Sequence, residues 1–146
     1  LDNIVPLAVG RGQGPGLGRI GDLVPAVGLS DLVRQIKETL ALSAVRLVGD
    51  PNLSVSRVAV CTGSGGSLMG AFFDSDAQVF VSGDLRYHDA RDAENAGRRL
   101  IDIGHFGSEH IMVGSLAARL REAVERRGLA VLVEECRVEQ DPFKRL

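Results

Sequence analysis

The chain is expected to fold as an α/β domain, with a mixed, largely parallel sheet flanked by helices, and three observations predict this. From residue 29 onward, apolar runs of strand length alternate with segments of helical period. Three of the apolar runs end in glycine followed at once by polar residues, at Gly63, Gly83 and Gly104, as strand-to-helix turns do. The balance of 45% hydrophobic and 25% charged residues is that of an ordinary globular domain.

The first 28 residues read differently. Gly10, Gly12, Gly14, Gly16, Gly18, Gly21 and Gly28 are interspersed with Pro6, Pro15 and Pro25, which favours turns and irregular backbone with one short strand over residues 18–23. A dinucleotide-binding fingerprint is a poor fit, because no clear strand precedes the glycines and Pro15 and Pro25 interrupt the helix that should follow. Residues 1–28 are therefore read as a Gly/Pro-rich lead-in and 29–146 as the α/β domain.

The remaining elements follow in order. Ser30 is suited to cap a helix, Asp31 to its positive end, and Val33, Ile36 and Leu40 share a face. Residues 44–48 form a strand closed by the turn Gly49-Asp50-Pro51-Asn52. A second strand, 58–61, runs into Gly63-Ser64-Gly65-Gly66-Ser67 and a short helix through Phe72. A third, 78–81, ends at Gly83-Asp84, and 86–95 is helical up to Gly97. The strand at 100–103 ends at Gly104. The longest helix opens near Ser108 and stops at Gly128, with Val113, Leu116, Leu120 and Val124 as its apolar stripe and Arg121–Glu125 and Glu122–Arg126 pairs on its polar side. A last strand is expected at 129–133 and a turn at Asp141-Pro142-Phe143.

Charge and composition exclude several classes of function. Seventeen basic against nineteen acidic residues leave a net charge of −2, which does not fit a general nucleic-acid binder. No run approaches the roughly eighteen apolar residues of a membrane span, and no signal-peptide pattern opens the chain. Cys61 and Cys136 are too few and too distant for a disulfide scaffold and read as reduced thiols, so a cytoplasmic setting is expected. The chain begins with Leu1 and not Met, which leads us to expect a piece of a longer protein.

Sites in open α/β sheets gather at the carboxyl ends of strands, and the three glycine-ended strands each carry polar groups there. His105 and Glu109, four apart at a loop-to-helix junction, offer an imidazole and a carboxylate suited to zinc, manganese or iron. They are also readable as a packed histidine and a carboxylate satisfying a helix N-terminus, since the spacing alone is a weak signal. Asp84 and His88 are candidates for proton transfer or for orienting a ligand imidazole, although Asp84 is also a natural cap for the following helix. Gly63, Ser64 and Gly65 can present backbone N–H groups to an anion, or simply turn the chain tightly. The loop lacks the Lys-Ser/Thr ending of a P-loop. His110 is expected at the surface.

Taken together, Val58-Ala59-Val60-Cys61-Thr62-Gly63-Ser64-Gly65-Gly66-Ser67, Gly83-Asp84-Leu85-Arg86-Tyr87-His88-Asp89-Ala90 and Ile101-Asp102-Ile103-Gly104-His105-Phe106-Gly107-Ser108-Glu109 resemble, in order, three segments of the NGG-one-interacting-factor-three-like (NIF-three-like) family, also labelled GTP cyclohydrolase 1 type 2 homologues. Gly18-Arg19-Ile20-Gly21 and Asp141-Pro142-Phe143 fit its C-terminal half as well. The resemblance implies a NIF-three-like domain contributing His105 and Glu109 to a centre of two divalent metal ions, with Asp84 and His88 lining the same cavity. It implies that a His-His pair and an Asp come from an N-terminal half with no counterpart in this chain. It further implies a homohexamer and, through the family label, a metal-dependent hydrolase acting on a nucleotide-like or phosphate-containing small molecule. The alternative is a noncatalytic metal-binding or oligomeric assembly and regulatory module.

Overall fold

The computed structural model describes residues 1–8 and 15–144. Six strands form one sheet: β1 (Asp2–Ala8), β2 (Leu17–Gly28), β3 (Arg46–Val48), β4 (Ser54–Ser64), β5 (Val79–Gly83) and β6 (Arg99–Asp102), in the spatial order β1-β2-β4-β5-β6-β3. Five helices accompany them: α1 (Leu29–Thr39), α2 (Met69–Asp74, preceded by a 3₁₀ turn at Gly66–Leu68), α3 (Tyr87–Asn95), α4 (His105–Glu109) and α5 (Ile111–Arg126). No helix among the described residues is long and apolar enough to cross a membrane.

The α/β class stands, but the sheet is mostly antiparallel, which corrects the expectation of a largely parallel one. Only β4–β5 and β5–β6 run parallel, while β1–β2, β2–β4 and β3–β6 are antiparallel. The reason lies in the glycine-rich opening, where two strands form, β1 and β2, and β1 pairs antiparallel with β2. Strands adjacent in both sequence and sheet commonly pair antiparallel. Gly18 and Gly21 lie against neighbouring backbone and side chains where a Cβ would be crowded, so glycine here serves close strand approach and not a loop. Pro25 is tolerated because it falls within the break in pairing between Asp22 and Val27. Gly10, Gly12 and Gly14 lie outside the described residues.

Alternation along the central strands sends side chains to two cores. Ala59, Phe80 and Leu100 meet Leu68, Met69 and Phe72 of the α2 region and Ala93 of α3 on one face. Val58, Val79, Val81 and Ile101 meet Leu29 and Leu32 of α1 on the other. Phe72 stacks on Phe80 at 5.3 Å between ring centroids, a contact worth about 1 kcal/mol beyond burial itself.

The C-terminal third departs from the sequence reading. Its long helix is divided at His110 into α4 and α5, and α5 buries only Ala117. Leu116 and Leu120, two of the predicted stripe residues, are exposed. Residues 129–133 form no strand and leave Leu129, Val131 and Leu132 in the open. Arg121 turns to this tail instead of pairing along the helix, donating from Nε to the Val133 carbonyl oxygen at 3.1 Å and meeting Glu135 at 3.5 Å.

Candidate metal centre

The three predicted loops lie side by side because β4, β5 and β6 are consecutive parallel neighbours, so their carboxyl ends share one rim of the sheet. Gly83 is wedged between the other two loops: a Cβ on it would strike the carbonyl oxygens of both Gly104 and Gly63. The loops therefore meet backbone to backbone.

His105 occupies the first position of α4 and Glu109 the last, so one helical turn brings them to the same side. Glu109 Oε2 lies 3.1 Å from His105 Nε2. The opposite ring nitrogen, Nδ1, lies 2.8 Å from Asp84 Oδ2. Both carboxylates hold the imidazole pKa above its ordinary value. The Asp84 hydrogen bond is the largest cause, desolvation opposes it, and the Glu109 charge adds to it. Asp84 itself has a left-handed backbone, with φ +52, at a residue that is not glycine. It does not cap α3. The helix is preceded by Arg86, and Asp89 in its first turn reaches back: its carboxylate accepts the Arg86 backbone N–H at 2.9 Å and also receives the Arg86 guanidinium.

Gly63 backs the His105–Glu109 pair. Its φ is +64, and a Cβ built on it would collide with Glu109 Oε1 and stand 3.4 Å from His105 Nε2. The absent side chain leaves open the space in which the imidazole nitrogen and the carboxylate meet. Ser108, buried, locks this arrangement: Gly63 N–H donates to Ser108 Oγ at 2.8 Å, and that hydroxyl donates to the His105 carbonyl at 2.7 Å. Gly65 N–H points to the Gly83 carbonyl at 3.4 Å. Two of the loop's N–H groups are thus engaged within the protein, and Ser64 is exposed.

His88 sits exposed on α3 with its ring edge-on to Tyr87, and it does not line the hollow beside His105. That hollow, about 400 Å³, is bordered by Asp84, His105, Phe106 and Glu109 and, from the returning tail, by Asp141 and Phe143. His110 is half-buried and not at the surface as expected. Its ring stacks on Phe106 at 4.7 Å, and its Nδ1 is buried without a hydrogen-bond partner among the described residues.

Sequence reasoning missed two groups near the rim. Asp102 is a buried carboxylate at the end of β6, paired with Arg46. A polar residue inside the apolar run Leu100-Ile101-Asp102-Ile103 was the available signal. Cys61 is the other: burial pushes its thiol pKa up and the Glu109 charge adds to this, which keeps it protonated beside the site.

As a cation site the arrangement is half complete. His105 Nε2 and Glu109 present nitrogen and oxygen donors over a space kept clear by Gly63, which fits a divalent ion. Among the described residues no group of three or more His, Cys, Asp or Glu is placed to hold one. Asp84 cannot join them, because it faces the far nitrogen of the same ring.

The model of the family described as Duf34/NIF3 (NGG1p interacting factor 3) matches residues 2–142. A GTP cyclohydrolase 1 type 2 homolog of Mycobacterium leprae is 40% identical over 131 residues, covering 88% of this chain and 33% of that protein. A Staphylococcus aureus protein of the same description is 36% identical, over 88% of this chain and 35% of its own length. The chain thus spans about a third of the curated relatives it matches. Among solved structures, a Bacillus cereus protein related to NIF3 superposes with a TM-score of 0.84 at 31% identity, covering 90% of this chain and 36% of its own. A Staphylococcus aureus crystal structure gives 0.83 at 34% identity, over 90% of this chain and 37% of that one. With a family model spanning all but its ends and a close superposition on these solved structures, the chain belongs to the Duf34/NIF3 (NGG1p interacting factor 3) family.

Proposed function

We propose that this chain is a noncatalytic metal-binding module that supplies one side of a divalent metal centre, with His105 Nε2 and Glu109 as its two donors. The observation that carries the reading is the convergence of those groups over Gly63, with the other ring nitrogen already held by Asp84. A zinc, manganese or iron site usually takes three or four protein donors. The missing donors are assigned to a further part of the protein, or to another copy, docked against this rim. The open face of α5, with Leu116 and Leu120, and the apolar tail serve that assembly. When bound, a metal pair would supply Lewis acidity and a nucleophilic hydroxide. This chain's own part is to fix the imidazole and to exclude a side chain at Gly63.

The test is metal uptake. Equilibrium dialysis against zinc and manganese, with metal analysis of the retained protein, is carried out on the protein that includes this chain and on its His105→Ala and Glu109→Gln variants. Each variant is expected to lose bound metal. Unchanged stoichiometry in His105→Ala would overturn the assignment. Hydrolysis of a nucleotide or phosphate ester that disappears in His105→Ala would replace the noncatalytic reading with a hydrolytic one.

A further inference from the structure

Asp84 and His105 follow different strands, β5 and β6, yet their side chains meet at 2.8 Å. Neither loop is held there by its own turn alone. Both are hung on one buried carboxylate. Asp102 Oδ2 accepts the backbone N–H of Leu85, the residue after Asp84, at 3.1 Å. Asp102 Oδ1 accepts the backbone N–H of Gly104, the residue before His105, at 3.0 Å. Arg46, across the β3–β6 ladder, closes the arrangement: its Nη2 donates both to Asp102 Oδ2 and, at 3.0 Å, to the Leu85 carbonyl. The two oxygens of one side chain therefore set the spacing between the loop that carries Asp84 and the loop that carries His105. A carboxylate can do this because it only accepts, on both oxygens at once.

We infer that Asp102 is a positioning residue for His105, acting through Asp84, and that it selects which nitrogen of the ring is left free. With Asp84 in place, the neutral ring keeps its proton on Nδ1 and turns the Nε2 lone pair toward Glu109 and the space over Gly63. Without that contact the Glu109 carboxylate is the stronger acceptor, the proton moves to Nε2, and the ring loses its free electron pair on the metal side. The inference rests on the metal reading for its consequence, but its cause is measurable with no metal present. The left-handed backbone of Asp84 fits this account: the contact with His105 holds a non-glycine residue in a conformation such residues seldom adopt. In Asp102→Asn an amide N–H would face a backbone N–H, so one of the two loops is released.

The experiment is nitrogen-resolved NMR of the His105 ring in the metal-free chain at alkaline pH, where the imidazole is neutral, for wild type, Asp84→Asn, Asp102→Asn and the double variant. The resonance is assigned by its loss in His105→Gln. Wild type is expected to be mainly the Nδ1–H form. Asp84→Asn and Asp102→Asn should each raise the Nε2–H population several-fold, and the double variant should go no further than Asp84→Asn. An Asp102→Asn protein that melts earlier but keeps the wild-type tautomer ratio overturns the proposal, as does an additive double variant. If Asp102→Asn does not fold, Arg46→Gln replaces it, because that side chain is largely exposed and its loss weakens the same brace; a wild-type tautomer ratio there is equally decisive. Zinc titration in parallel is expected to show about 10–100-fold weaker binding in the positioning variants. Equal zinc uptake by wild type and His105→Ala would sink the metal reading while leaving the tautomer result to decide the role of Asp102.

Discussion

Two glycines with nearly the same backbone angle make the sharpest test of the site. Gly63 has φ +64 and Gly97 has φ +62. Alanine at either must adopt the left-handed region, at a cost of about 1–2 kcal/mol. Around Gly97 there is nothing within 4 Å of the new Cβ, so the cost ends there. At Gly63 the new Cβ meets Glu109 Oε1, the far end of a flexible side chain, which swings aside. The movement gives up only the exposed, solvent-screened Glu109–His105 contact, which adds little to the backbone cost. Gly63→Ala and Gly97→Ala should therefore destabilise the chain to within about 1 kcal/mol of each other in urea unfolding. Metal affinity should separate them completely. Gly97→Ala should leave it unchanged. Gly63→Ala displaces a donor, and a loss of about 100-fold is expected, at the upper end of what disturbed outer-shell groups produce. Zinc competition titrations on both variants provide the measurement. Wild-type affinity in Gly63→Ala, or an equal loss in Gly97→Ala, would refute the claim that the Gly63 hydrogen marks the ion's seat.

Three further outcomes are expected. Asp89→Ala removes the acceptor of the Arg86 N–H and guanidinium, and should cost about 2 kcal/mol in urea unfolding. The Arg86 side chain lowers the Asp89 pKa, so this stability is present above the ordinary carboxyl value of 3.8 and is lost as pH falls through the lower folded value; the gap between wild type and variant should close in that acid range. For His105 the sign is opposite. Asp84, and then Glu109 against desolvation, raise its pKa, so in metal-free protein the stability gained from the protonated ring is full below about 6.5 and fades as pH climbs through the raised value; a stability difference between wild type and His105→Gln that grows with pH would contradict this. Leu116→Glu with Leu120→Glu should leave unfolding within about 0.5 kcal/mol of wild type, because both side chains are exposed, yet lower the assembled mass in light scattering. An unchanged mass would remove α5 from the interface.

The centre of the fold was legible because its physics is local. Val58, Val79 and Leu100 open short apolar runs that can only be buried strands, and Gly63, Gly83 and Gly104 mark where each must turn. Order in the sequence then matched order in the sheet, so the neighbourhood of Asp84, His105 and Glu109 followed. Of the opening strands only residues 18–23 were legible, because glycine and proline signal turns in isolation, while here glycine serves close approach and Pro25 sits at a break in pairing. Missing β1 and most of the length of β2, and having no signal for the direction of β3, is what made the sheet seem largely parallel. The apolar run at 129–133 misled in the other direction: it has strand composition but no partner strand within the described residues, and composition cannot supply one. At the site, the sequence left Asp84 open between capping α3 and orienting an imidazole, and it assigned no role to Asp89. Both lie within reach of the start of α3, and only the left-handed turn at Asp84 decides that its carboxylate leaves the helix and crosses to His105.

The wedging of Gly83 between two carbonyl oxygens has a consequence for how this rim can change over generations. Gly83 meets the two carbonyl oxygens directly, so a bulkier residue in the middle loop pushes on the peptide planes that carry His105 and Gly63. Backbone novelty must therefore arise in all three turns simultaneously or not arise. Chemical novelty remains cheap at Ser64 and His88, whose exposed side chains can be exchanged without moving that junction. Diversification among descendants of this chain should thus accumulate in side-chain identity around a frozen peptide scaffold.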